Sequence, residues 1–229
     1  MMVNRIKLLA QQATTTALDL LFPPHCVSCE RVGSFLCAKC LSTISQAPPR
    51  DVLGLDGVCA RADYDGAVSD AIHAFKYDRQ IRLVDSLGSL LYEAVSAMAW
   101  PVDLVTAVPL HANRLHERGY NQAALLAMYV AQACECAYDA DVIRRVRETA
   151  SQVHLGAQER RVNVAGAFDA AAEMVAGRCV LIVDDVLTTG ATLAACADAL
   201  RDAGATRVYG AAVAGAMFSK VRDTGEPVE

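Results

Sequence analysis

With 229 residues, the chain is long enough for one domain of ordinary size and a small appendage, and too short for two full enzymatic domains. A hydrophobic fraction of 54% and a charged fraction of 21% describe a globular chain with ample core. The net charge of -5 excludes a molecule whose whole surface attracts nucleic acid, so any polyanion site must be local.

Ile6, Leu9, Ala10, Ala13, Ala17, Leu20 and Leu21 approximate one helix face over residues 4–21, which Pro23 and Pro24 end. Arg5 and Lys7 ahead of Leu8 and Leu9 imitate a secretory leader. Gln11, Gln12 and the run of Thr14, Thr15 and Thr16 interrupt the apolar stretch, and no small-residue cleavage pattern follows. No uninterrupted apolar run is long enough to span a bilayer, so no membrane partner is expected. The expected compartment is the cytoplasm, where cysteines stay reduced.

Four of the nine cysteines fall in one short stretch. Cys26-x-x-Cys29 and Cys37-x-x-Cys40 form two knuckles, each able to give two thiolates to one tetrahedral zinc ion. Structural zinc would supply the stability that so few apolar residues cannot. The bland alternative is four unrelated reduced cysteines, against which the paired spacing argues; His25 ranks below the thiols as a ligand. Cys134 and Cys136 point in different directions on a helix and make no ligand pair, while Cys59, Cys179 and Cys196 read as core. Residues 46–57, with Pro48, Pro49 and Gly54, read as a connector. The expected units are residues 1–51, a helix and cysteine module, and residues 52–229, the main domain.

From residue 58 strand-like and helix-like segments alternate. Strands are expected at 58–64, 104–108, 179–183 and 207–214, and helices at 68–77, 82–98, 121–136 and 191–203. Strands separated by helices of this length pair parallel in a sheet covered on both faces. The fold class is therefore α/β with an open parallel sheet, its ligand at the carboxyl ends of the strands. The arginine-bearing span 144–163 has no clear period and reads either as a lid over the site or as an exposed loop.

The segment from Val180 to Thr192 carries the chemistry: an apolar strand, then Asp184 and Asp185, then a hydroxyl-rich turn with one glycine, then a helix. Two carboxylates at a strand's carboxyl end can accept hydrogen bonds from the vicinal hydroxyls of a ribose. Thr188, Thr189, Gly190, Ala191 and Thr192 offer amide hydrogens and hydroxyls at a helix N-terminus, a cradle for a phosphate. Plain helix capping needs one such residue, not two acids and three threonines around a glycine. No Walker-type loop and no Gly-x-Gly-x-x-Gly follows a strand, which removes the main support for triphosphate and dinucleotide binding.

This segment closely resembles the phosphoribosyl-pyrophosphate motif of type I phosphoribosyltransferases. The surrounding blocks resemble the ComF family: Ala74-Phe-Lys-Tyr77, Pro109-Leu-His111, Arg114, Arg118-Gly-Tyr-Asn-Gln122, Arg147, Thr149, Gln152, Leu155, Glu159-Arg160, Asn163 and Gly166-Ala-Phe168, behind a four-cysteine module. The resemblance implies a type I phosphoribosyltransferase fold with an N-terminal zinc module. It implies ribose contacts for Asp184 and Asp185, 5-phosphate contacts for Thr188 to Thr192, and magnesium entering with 5-phosphoribosyl 1-pyrophosphate. Arg114 and Arg118, after the strand at 104–108, would match the pyrophosphate, since guanidinium forks suit its oxygens. For His111, His116 and Lys76 a surface role is the ordinary alternative.

The resemblance also implies pentosyl transfer to a nitrogen acceptor, or else an accessory role in competence and in handling incoming DNA. The module segment Glu30-Arg-Val-Gly-Ser-Phe-Leu is too weakly basic to favour DNA, so a protein partner is preferred; a homodimer stays open.

Overall fold

The computed structural model describes residues 23–147, 164 and 166–216. The expected helix over 4–21 and most of the 144–163 span lie outside the described residues. In chain order the first elements are α1 (Ala38–Leu41), β1 (Gly57–Asp63), α2 (Gly66–Tyr77), a 3-10 turn at Ile81–Leu83 and α3 (Val84–Ala97). Next come β2 (Leu104–Ala107), α4 (Ala112–Arg118), α5 (Gln122–Ala133), β3 (Ala137–Tyr138) and β4 (Ile143–Arg145). The last are β5 (Phe168–Ala170), α6 (Ala172–Val175), β6 (Cys179–Leu187), α7 (Ala191–Asp202) and β7 (Arg207–Gly215).

Five strands form a parallel sheet in the order β1-β7-β6-β2-β3, and β4 and β5 pair as a separate antiparallel ribbon. The apolar run of β6 explains its central place. Leu181 and Val183 belong to the core under α2, α3 and α5, whereas Val180 and Ile182 belong to the core under α7 and the ribbon. Alternate side chains leave a strand on opposite faces, so a strand apolar at every position must be covered twice. On the first face α3 and α5 cross closely at Gly88, where an added Cβ would stand 2.5 Å from the Tyr129 ring.

From the centre of the sheet, β2 continues outward to β3 and β6 continues outward to β7, with α5 and α7 on opposite faces. The loops after β2 and β6 therefore diverge, opening a crevice at the carboxyl ends between them.

The cysteine module is not a free appendage. Cys26, Leu36, Cys37 and Cys40 share one buried cluster with Ile72, Phe75, Leu83 and Leu87, and the Arg82 guanidinium lies 4.8 Å from the centre of the Phe35 ring. Beyond it the connector pairs antiparallel with the outer edge of β1 at Gln46 and Ala62. It then crosses the sheet end, where Arg50 Nη1 donates to the carbonyls of Leu187 and Thr188 at 3.4 and 3.3 Å. Among the described residues no helix is long and apolar enough to cross a membrane.

The expected strands and helices of the main domain all form, with ends shifted by a few residues. Two features differ. The polar stretch after Pro109 folds as α4, and the short strands β3, β4 and β5 were not anticipated.

Candidate functional site

β6 does not end at Val183. Its neighbour β2 stops there, with Ala107 opposite Val183, but β7 pairs it onward through Asp184–Ala212, Val186–Ala214 and Leu187–Gly215. Asp184 and Asp185 thus sit in a strand whose β2 side is open, bordering the crevice. Because they belong to a strand, their carboxylates leave on opposite faces. Asp185, 9% exposed, turns toward α2, where Lys76 Nζ meets its Oδ1 at 2.7 Å. Asp184 turns toward the α7 side and folds back, its Oδ1 accepting from the Asp185 amide at 2.8 Å.

The electrostatics follow from this packing. Burial and the neighbouring Asp185 carboxylate push the Asp184 carboxyl up to about 7, against the pull of Lys76 and the Asp185 amide. Burial alone would lower the Lys76 ammonium, but Asp185 more than offsets it and holds the pKa above the usual lysine value. Burial and Asp184 together push the Cys196 thiol, on α7, well above its ordinary range.

After Leu187 the chain turns through Thr188 and Thr189 into α7. Thr189 Oγ1 accepts from the Ala191 amide at 3.2 Å, a local turn ahead of the helix, whose N-cap position is held by Gly190 without any side-chain cap. Gly190 has φ +75, and an added Cβ would stand 2.5 Å from Val52 Cγ2 of the connector. Only glycine suits that position on both counts.

Beside the acids lies a cavity of about 230 Å³ lined by Lys76, Tyr77, Arg79, Arg114, Glu117 and Arg118. Arg114 and Arg118, read from sequence as pyrophosphate groups, are thus brought together with a lysine read as surface. Thr188 to Thr192 form no part of that wall; Lys76, through Asp185, connects the two. Four cations face one carboxylate here, in a chain that is acidic overall.

The block from Arg118 to Gln122 builds this wall. Arg118 lies over the Tyr77 ring, 5.0 Å from its centre, and Gly119 closes α4 in the left-handed region at φ +81. The Tyr120 hydroxyl donates to the Phe75 carbonyl, fixing the last turn of α2. Asn121 caps α5 through the Ala123 amide and donates to the Val108 carbonyl at 3.0 Å, tying the loop to the end of β2. His111 accepts from the Asn113 amide at 3.2 Å and caps α4.

Sequence reasoning left Lys76 between an anion contact and a surface lysine and did not name Arg79; both line this cavity. The available signal for Lys76 was its place beside Phe75 in the Ala-Phe-Lys-Tyr block; Phe75 is fully buried, which holds the lysine at the edge of the core. Its partnership with Asp185 is a long-range fact that no local spacing encodes.

The four cysteines form a second centre. The first knuckle closes on Glu30, with φ +60, and Cys26 donates its amide to the Arg31 carbonyl. In the second, Cys37 caps α1 and Cys40 lies on it, so a single helical turn sets their spacing. The four Sγ atoms lie within 4.8 Å of one another, and Cys29 Sγ is 3.6 Å from Cys37 Sγ. A zinc–sulfur tetrahedron with bonds of about 2.3 Å has edges of about 3.8 Å, so this donor set fits the ion. Burial opposes ionisation of Cys26, yet hydrogen bonds from the Cys37, Ser28 and Cys29 backbone bring its thiol down to about 6. His25 is turned away, its Nδ1 3.2 Å from the Glu30 carbonyl.

A parallel sheet with its acids, glycine turn and basic cavity at the carboxyl ends defines a phosphoribosyltransferase-fold protein. In keeping with that, residues 120–228 match the phosphoribosyl transferase domain. With its four-cysteine module, the chain belongs to the ComF family. It is 35% identical over 191 residues to the DNA utilization protein YhgH of Salmonella typhimurium, covering 81% of this chain and 80% of that one. It is 33% identical over 199 residues to the protein of the same name in Escherichia coli, covering 84% and 83%. It is 32% identical over 192 residues to Competence protein F of Haemophilus influenzae, covering 81% and 82%.

Proposed function

We propose that this chain binds 5-phosphoribosyl 1-pyrophosphate with magnesium at the β6–α7 turn and transfers the phosphoribosyl group to a nitrogen acceptor. The observation that carries the reading is the emergence of two acids from β6 where β2 has ended, between a glycine turn opening α7 and a basic cavity. Asp184 and Asp185 take the ribose hydroxyls, Thr188 to Thr192 take the 5-phosphate, and Arg114 and Arg118 take the pyrophosphate. Magnesium supplies charge neutralisation on the pyrophosphate; it prefers phosphate oxygens and few protein ligands, so no dedicated protein cage is required.

The acceptor nitrogen forms its bond to the anomeric carbon as the bond to the pyrophosphate oxygen breaks, and that electron pair leaves with the pyrophosphate. No covalent catalyst is needed. The chain's own contribution is to orient the sugar, spread the leaving-group charge over guanidinium groups and keep water out. Titration calorimetry tests the reading. Magnesium-dependent binding should be largely abolished when Asp184→Asn and Asp185→Asn are combined, and unchanged binding would rule the site out.

The names of the relatives favour a second reading for the same site: a ligand-binding accessory in competence and DNA uptake, without an acceptor of its own. Release of pyrophosphate with some member of a base panel supports the enzyme, and release with none supports the accessory. In both readings the cysteine centre holds structural zinc and offers a docking surface to a protein partner, with DNA or a second copy of the chain as the alternatives. None of the nine cysteines is paired in a disulfide, which suits the reducing cytoplasm.

A further inference from the structure

Lys76 stands on the border of two half-sites. Its Nζ lies 2.7 Å from Asp185 Oδ1, and the same side chain lines the cavity it shares with Arg79, Arg114 and Arg118. The lysine side chain is 18% exposed and that of Asp185 12%, so both charges have shed most of their water. A charge this desolvated needs a partner at all times, and removing one member of such a pair leaves an uncompensated ion. Exchanging one anion for another leaves none.

The local structure permits that exchange. Phe75 is fully buried and its carbonyl accepts from Tyr120, which holds the backbone of the last turn of α2 in place. The ammonium, by contrast, rides a flexible four-carbon stem and can shift without the helix moving.

We propose that Lys76 is a transferable counter-ion: it neutralises Asp185 while the site is empty, and passes to the pyrophosphate group when that group enters the cavity, freeing Asp185 for the ribose hydroxyls. This rests on the site reading given above and adds to it a coupling between its two halves. Ribose 5-phosphate alone must take Asp185 from a lysine that has nowhere to go. With pyrophosphate in the cavity the lysine has been received, so each ligand should improve the binding of the other, and by the same factor.

The experiment titrates the full chain with inorganic pyrophosphate and magnesium, with and without saturating ribose 5-phosphate, and separately with 5-phosphoribosyl 1-pyrophosphate. The wild type should show a coupling of about fivefold or more. Lys76→Met should lose pyrophosphate affinity by about tenfold and lose the coupling, while Lys76→Arg retains most of both. Asp185→Asn removes the lysine's resting partner, and should tighten pyrophosphate binding while weakening that of the full ligand. That opposite response is one a purely structural role would not give, and it decides the matter even where Lys76→Met folds poorly. Lys76→Met with wild-type pyrophosphate affinity, or Asp185→Asn weakening both ligands alike, overturns the inference alone. A wild type that binds neither ligand overturns the site reading together with it.

Discussion

Asp184 has a carboxyl raised to about 7, and this has two consequences with opposite signs. An unfolded aspartate ionises near pH 4, so between about 4 and 7 the unfolded chain has released a proton that the folded chain keeps. The contribution of this group to stability therefore falls as pH rises through that window. Ligand binding runs the other way, because ribose hydroxyls donate to a carboxylate and not to a protonated acid. Affinity for magnesium and 5-phosphoribosyl 1-pyrophosphate should climb from pH 6 to pH 8 and then level off, and Asp184→Asn should flatten the climb. Calorimetry in buffers of matched ionic strength measures both; a wild-type profile as flat as the variant's removes Asp184 from the ligand. At this scale the pair of acids was legible, since two carboxylates straight after four apolar residues have no core role. Their departure on opposite faces was not, because it depends on how far β7 continues to pair β6.

Elements were legible wherever a hydrophobic period reached across several residues. The helix at α4 was not, because none of its residues is buried and it has no apolar face to read. Its ends are fixed instead by His111, an unusual cap, and by Gly119. The strands β4 and β5 are three residues each, too short for alternation to register. The turn between β6 and α7 was read correctly as strand, turn and helix, though not its dependence on the connector. Gly190→Ala should cost about 1–2 kcal/mol from the left-handed backbone alone. For a chain of this size the melting temperature should fall by about 2–8 °C. Val52→Ala in the same chain removes the two closest contacts, leaving Cβ at 3.2 Å, and recovers only part of the steric share. Equal melting temperatures for Gly190→Ala and the wild type would mean that the turn has another conformation.

Among the described residues the cysteine cluster is part of the core on one face of the sheet, and a second core covers the other face. Cysteines of the module are buried with Phe75 and Leu87 of the main domain, so a metal held by the four thiolates would stabilise both at once. Purification without chelator should yield about one zinc per chain. Stripping it should lower the melting temperature in a single transition, without a separate early melting of the module, as calorimetry will record. An unchanged transition after chelation would mean that the thiols hold no structural ion. The sequence made the parallel sheet and the paired cysteines readable, because periodicity and spacing are local. How the module docks was beyond it, since that packing joins residues far apart in the chain.

The sheet margins carry one last implication. The connector covers the carboxyl half of the outer edge of β1, with the Asp63 amide bonded to Ser45 and the Ala47 amide to Arg61. The opposite margin, β3, offers only two residues. Among the described residues neither rim presents a long row of unpaired amides and carbonyls, so strands of separate molecules find little to zip against. Along these two rims the connector on one side and the shortness of β3 on the other leave little edge for fibre-like stacking.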